Sequence, residues 1–272
     1  MLKPFLILIV SVISCLKISA SDNYPVGARP IALSNAFVSI TDLWSTFHNQ
    51  ATLASFETFS AGIFYESKFL IDELTLAAGS VVLPIETGTF GISFYQFGEG
   101  AFKEHKVALA FSKKLSPRLN AGIQLDYFSQ RFPENESSIG FATFEFGLSY
   151  KTTEQLTLGA HFFNPVNNGF QLPEGKQKMP AVFRFGGHYQ FSDLVLISSE
   201  VHKNSDFPWV VKTGLEFAPA PNLFLRFGIS GRPVAYTAGL GYSFGKITTD
   251  FAFSYHGNLG LSPAVSIRYN LQ

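Results

Sequence analysis

The chain has one cysteine, Cys15, among its 272 residues. An intrachain disulfide is therefore excluded, and so is a cysteine-based metal cluster. Charge is scarce: 20 Lys and Arg balance 20 Asp and Glu. No basic stripe of the kind that neutralises a phosphate backbone occurs, so no nucleic-acid partner is expected. Beyond the first 20 residues, no apolar run reaches the roughly 18 residues that a membrane-crossing helix needs. Catalytic signatures are missing as well. Gly228-Ile229-Ser230-Gly231 lacks the last glycine of a nucleophile elbow, and no nucleophile is placed beside a base. Gly239-Leu240-Gly241 is followed by no helical pattern and so is not a phosphate loop. The reading is of a protein without enzyme activity and without a cofactor.

What is present begins with a targeting segment over residues 1–20. Met1-Leu2-Lys3 supplies a positive start, Phe5 to Leu16 an apolar stretch, and Ile18-Ser19-Ala20 a small-residue cleavage site. Val12-Ile13-Ser14-Cys15 also reads as a lipobox, which would make Cys15 a lipidation site.

After residue 55 the chain is a succession of alternating segments. In Leu119 to Tyr127, the apolar Leu119, Ala121, Ile123, Leu125 and Tyr127 share one face, opposite Asn120, Gly122, Gln124 and Asp126. Alternation with period two is the signature of a strand whose faces meet different environments. The strands predicted are 56–67, 73–84, 87–98, 103–115, 118–131, 138–151, 155–163, 180–191, 194–204, 208–218, 221–231, 233–244, 247–256 and 262–271. Their lengths approach the 9–11 residues, roughly, of a tilted bilayer-spanning strand.

The turns carry a second regularity. The even-numbered ones are mostly tight, as at Ser116-Pro117, Ser192-Asp193 and Gly245-Lys246, whereas the odd-numbered ones are mostly longer, the longest being Asn164 to Met179 and the exception Arg232-Pro233. Outer-membrane barrels have short periplasmic turns and longer outside loops. The parity holds only for an even strand count with both termini periplasmic. Asp126, Arg226, Asp250 and Arg268 all fall on the polar face, as they must when a cation on the lipid face at midplane costs roughly 2–4 kcal/mol. Lys113 falls on the apolar face but near a strand end, where it can reach the interface. Tyr150, Tyr189, Phe191, Phe217, Tyr242 and Phe244 stand before tight turns, where an aromatic girdle belongs.

The fold expected is all-β: a transmembrane antiparallel barrel of about 14 strands over residues 56–272, with a small N-terminal element at 21–55 that does not alternate. Thr41-Asp42 can cap a short helix from Leu43 to Phe47 there. His48, His105, His161, His188, His202 and His256 lack ligand spacing and read as scattered solvated or luminal residues, so no metal is expected. Gly239 and Gly241 leave space on the luminal face. Asp250 and Arg268 would face each other across the last hairpin if it is centred near Leu259. Asn135-Glu136-Ser137 matches a glycosylation sequon to which a bacterial barrel gives little weight.

The segment Gly27-Ala28-Arg29-Pro30-Ile31-Ala32-Leu33-Ser34-Asn35-Ala36-Phe37-Val38-Ser39 resembles the opening of FadL-like outer-membrane proteins, and most closely their PorV/PorQ-type branch. Asn49-Gln50-Ala51-Thr52-Leu53 matches that branch's Asn-Pro-Ala-Gly-Leu element in part, with the Pro and Gly replaced. The resemblance implies a bacterial outer-membrane barrel with residues 24–54 folded into the lumen as a hatch. Arg29, Asn35, Asp42 and Asn49 are then candidates for docking or gating, with Glu200, Glu216 or Asp250 as wall partners. Besides outer-membrane lipid, two partner classes are implied. One is the proteins of a type IX secretion complex, for which the chain would be a binding or scaffold component. The other is a small hydrophobic ligand moving passively through a FadL-like channel. The short outside turns, with one long loop rich in Asn, Gly, Pro and Lys, favour the first of these over a dedicated capture site.

Overall fold

In a computed structural model, residues 23–100, 102–131, 138–172 and 175–271 are described. The targeting segment, Cys15 and the Asn135–Ser137 sequon lie outside the described residues.

Fourteen antiparallel strands close into a barrel. They are β1 (Ser60–Ser67), β2 (Thr75–Ile85), β3 (Gly88–Phe97), β4 (Lys103–Lys114), β5 (Leu119–Arg131), β6 (Ile139–Lys151), β7 (Leu156–Phe163), β10 (Val182–Ser192), β11 (Val195–Asn204), β12 (Val210–Ala220), β13 (Leu223–Ser230), β14 (Ala235–Phe244), β15 (Ile247–His256) and β16 (Gly260–Asn270). Each strand pairs with its successor, and Ser60 of β1 against Asn270 of β16 closes the ring. Closure leaves no unpaired edge, which is the condition for strands to cross hydrocarbon.

The alternation has the meaning expected of it. Ile63, Leu125, Phe227 and Phe253 are among the many large apolar side chains exposed on the outer wall, while Lys106, Asp126, Arg226 and Asp250 are buried inside. Tyr150, Phe191, Tyr242 and Phe244 stand exposed on the outside near the short turns. Both ends of the barrel chain lie at the short-turn end.

The long loop departs from the expectation of an irregular segment. It contains a small hairpin of β8 (Gly169–Leu172) and β9 (Gly175–Lys178). Asn164 anchors it: its Oδ1 accepts from Thr143 Oγ1 at 2.7 Å and from the Asn168 amide at 2.9 Å, and its Nδ2 donates to the Met179 carbonyl at 2.7 Å. Phe170 and Met179 are fully buried in the core as a result.

A barrel of this size would otherwise hold a water-filled lumen. Here residues 23–56 fill it. They form a helical turn, α1 (Ala28–Ala32), and two 3-10 turns at Leu43–Phe47 and Gln50–Ser55. Val26, Leu33, Phe37, Trp44, Phe47 and Leu53 are buried. Pro30 fits within the first turn of α1, where its missing amide would have no intrahelical partner. The chain enters this plug from the loop end, opposite to the end where β16 finishes and so not on the side expected for both termini: Tyr24 stacks on Phe97, at the loop end of β3, with ring centroids 4.1 Å apart.

The wall is shaped to the plug by glycine. A Cβ at Gly147 would lie 1.9 Å from Asn49 Oδ1, one at Gly159 2.3 Å from the Val38 carbonyl oxygen, and one at Gly239 2.5 Å from Ala32 Cβ. Any side chain at these positions would displace plug backbone or its anchors.

Candidate functional site

The plug is fastened to the wall by charges, and each charge is positioned by its element. Asp42 caps the first 3-10 turn: Oδ1 accepts from the Trp44 amide at 3.1 Å, while the Asp42 amide donates to Ser45 Oγ at 3.2 Å. That leaves Oδ2 free to accept from Arg29 Nη1 at 2.9 Å and from Arg268 Nη1 of β16. Arg29 also grips Glu216 of β12 with two parallel bonds, Nε to Oε2 at 2.8 Å and Nη2 to Oε1 at 2.7 Å. Glu216 accepts in turn from Arg226 of β13, Arg226 Nη1 reaches Asp250 Oδ1 of β15 at 2.7 Å, and Asp250 Oδ2 receives Arg268 Nη2 at 2.9 Å.

These contacts make a closed ring of three arginines and three carboxylates in strict alternation. Two members come from the plug and four from the wall, on β12, β13, β15 and β16. The ring is electrically neutral, and each charge has two opposite neighbours, the arrangement that makes buried ion pairs tolerable. Burial alone would raise the Asp42 carboxyl, but the Arg268 and Arg29 guanidiniums outweigh it and hold the group below its usual value. Gly241 makes room for the ring, since a Cβ there would lie 2.5 Å from Asp250 Oδ1.

The structure places the predicted residues as follows. Arg29 and Asp42 meet in the ring. Asn49 caps the second 3-10 turn through Oδ1, accepting from the Ala51 amide at 3.1 Å, and ties it to the wall through Nδ2, which donates to the Leu148 carbonyl at 3.0 Å. Asn35 does not dock: its Oδ1 has no partner, and its φ of 57° marks it as one of the two left-handed residues that reverse the chain after α1. Asparagine tolerates that backbone better than most residues, which accounts for its presence. Glu200 holds the plug through Oε2, which accepts the Phe37 and Val38 amides at 3.0 Å each.

Asp250 and Arg268 are joined, but not as directly opposed residues. The last hairpin is centred on Asn258, so Asp250 pairs with Ser266 and Arg268 with Thr248. The long arginine side chain spans the diagonal.

A second buried cluster was not singled out from the sequence. Lys106 Nζ lies 2.6 Å from Glu145 Oε1 and 3.1 Å from Asp126 Oδ1, and Glu145 Oε2 meets His161 Nε2 at 2.9 Å and Gln50 Nε2 at 2.7 Å. The available signal was parity, since Lys106 is in phase with the small Ala108, Ala110 and Ser112 on the luminal face. Four histidines are luminal. His161 joins this cluster, His48 Nε2 lies 3.0 Å from the Val26 carbonyl, His188 Nδ1 lies 3.0 Å from Ser39 Oγ, and His202 neighbours Glu200. No metal-ligand grouping occurs among the described residues.

Towards the loop end the lumen changes character. Tyr24, Tyr95, Phe97, Phe128, Phe141, Phe163 and Phe170 converge there, with Phe128 and Phe141 stacked at 5.1 Å and Phe141 edge-on to Phe170 at 4.7 Å. The lumen thus has a packed aromatic cluster beneath the loops and a polar, ion-paired closure at the plug.

No protein-family model and no curated protein matches this sequence. Solved barrels do. The CymD monoaromatic hydrocarbon channel aligns with a TM-score of 0.70 at 13% identity, over 91% of this chain and 98% of that one. The Ralstonia pickettii toluene transporter TbuX gives 0.70 at 13% identity over 90% and 98%. A Pseudomonas aeruginosa FadL homologue gives 0.67 at 13% identity over 92% and 99%. At such identities the likeness concerns architecture alone: this chain has the closed, 14-stranded antiparallel β-barrel fold seen in these channels.

Proposed function

We propose that the chain is a passive channel for small hydrophobic compounds in the bacterial outer membrane, with the short turns and the C-terminus in the periplasm and the plug acting as its gate. The observation that carries this reading is the cluster of aromatic side chains lying between the loops and a plug held by reversible, non-covalent bonds. An apolar molecule is favoured there over water, by roughly 25 cal/mol for each Å² of apolar surface buried. It can go no further until the ion-paired plug shifts. The likeness in fold to channels described as carrying toluene and other monoaromatic hydrocarbons supports the same reading. The export-scaffold reading rests on the resemblance of residues 27–53 and on the short outside turns, and the fold likenesses favour the channel. The test is uptake of radiolabelled toluene by cells that lack their own hydrocarbon channel. Cells expressing the chain should take it up several-fold faster than cells carrying an empty vector; equal rates at normal levels of folded barrel would refute the proposal.

A further inference from the structure

At the short-turn end, below the plug, the lumen opens into a vestibule of about 490 Å³. Its size lies in the range of small-molecule sites, roughly 300–1,000 Å³, and is too small for a folded partner. Its lining carries Lys114, Arg118 and Lys151, with Arg29 at the plug side, and includes no Asp or Glu.

These cations are not a random sprinkling of surface charge. Lys114 ends β4, Arg118 immediately precedes β5 and Lys151 ends β6, so three adjacent strands each bring one cation to the same rim. All three positions are in phase with buried luminal residues of their strands: Lys114 with Ser112, Arg118 with Gln124 and Asp126, and Lys151 with Glu145 and Ser149. Most other buried luminal charges compensate one another, in the ring and around Lys106, and Arg184 is held by the Phe47 and His48 carbonyls. Arg29 is spent on Asp42 and Glu216 in the ring, and Lys151 pairs with the exposed Glu154 beyond the strand end. Lys114 and Arg118 make no side-chain hydrogen bond or ion pair among the described residues, although Lys151, with help from the nearby Arg118, holds the exposed Glu154 carboxyl below its usual value. Ile40 and Leu196 add apolar surface to the same vestibule.

Three cations facing a single carboxylate, Glu154, leave an excess of positive charge at the mouth of a cavity whose lining includes Ile40 and Leu196, and that combination suits a ligand with an anionic end and an apolar one. We propose that this vestibule is a binding site for a small organic anion, with its carboxylate between Lys114 and Arg118 and its apolar body against Ile40 and Leu196. The guanidinium supplies a planar two-bond fork for a carboxylate and the ammonium a point charge. The site is independent of the transport reading, because the vestibule is open with the plug closed.

The test is calorimetric titration of the purified barrel in detergent with benzoate, benzyl alcohol and inorganic phosphate. Benzoate should bind saturably, and at least tenfold tighter than either of the others. Its affinity should fall about tenfold when ionic strength rises from about 0.1 M to about 1 M. The Lys114→Ala/Arg118→Ala double variant should bind benzoate at least tenfold more weakly while keeping the heat-modifiable gel migration of a folded barrel. Both residues are exposed, so folding should survive. Unchanged benzoate affinity in the double variant would overturn the proposal, as would absence of saturable binding. Benzyl alcohol binding as tightly would show that the charge is irrelevant, and phosphate binding as tightly would show that the apolar body is; either result also overturns it.

Discussion

Removing Arg29 opens the ring at the residue that links plug to wall. Arg29 makes three charge-assisted bonds, two to Glu216 and one to Asp42, from a side chain that is 16% exposed. Removing one partner of a buried ion pair costs about 3–5 kcal/mol. Here Glu216 keeps Arg226 and Asp42 keeps Arg268, so the lower end, about 3 kcal/mol, applies. The barrel's strand pairing is untouched, and the loss therefore falls on plug docking. At about 1.4 kcal/mol per decade, Arg29→Ala should raise the undocked population roughly a hundredfold. Trp44 reports it, being fully buried in the plug, whereas Trp209, the other tryptophan, is exposed. In a Trp209→Phe background, Arg29→Ala should red-shift Trp44 emission and raise leak of a small hydrophobic antibiotic, with folded barrel abundance unchanged. Unaltered emission and leak at normal abundance would refute the reasoning that the ring holds the plug.

Other outcomes follow from the same geometry. Gly159→Val, which drives a side chain into the Val38 carbonyl, should leave a heat-modifiable barrel but expose Trp44 and increase leak; a closed, unshifted plug would count against the steric fit. Lys106→Met should destabilise the barrel by about 3–5 kcal/mol in denaturant titration, because it strands Glu145 and Asp126 without their cation; a stability unchanged from wild type would mean that the cluster is already relaxed by water. Phe128→Ala should cost about 3–5 kcal/mol of barrel stability and slow toluene uptake, since Phe128 contacts Phe141, Phe163 and Tyr95; unimpaired uptake would show that the aromatic cluster is not on the route.

The barrel was legible in the sequence because hydrocarbon punishes a misplaced charge on every strand. That constraint makes the two faces of Leu119 to Tyr127 visible without any fold in mind. The plug was legible by contrast, as the stretch without period two, and its Asp42 cap was legible from local chemistry. The ring was legible only in pieces. Arg29 and Asp42 on the plug, and Glu216, Arg226, Asp250 and Arg268 on the polar face, could each be named. Their closure into one circuit depends on which strands stand beside α1, and that is a property of the closed barrel. The direct opposition of Asp250 and Arg268 failed by one register step, because a three-residue turn and a five-residue turn leave the same alternation in the strands. The β8–β9 hairpin was hidden because its order comes from Asn164 and from Phe170 reaching the aromatic cluster, not from its own short strands. Lys106 went unremarked since a buried lysine needs carboxylates that lie far along the chain.

The central claim is that passage requires the plug to move, and a reversible tether tests it most directly. Thr46 Oγ1 of the plug and Ser80 Oγ of β2 lie 2.9 Å apart, close enough for a Thr46→Cys/Ser80→Cys pair to form a bond whose sulfurs sit about 2.05 Å apart. Toluene uptake by cells carrying this variant should be abolished under oxidising conditions and restored by a reductant. Equal uptake with the tether closed, verified by loss of free thiols, would contradict the account.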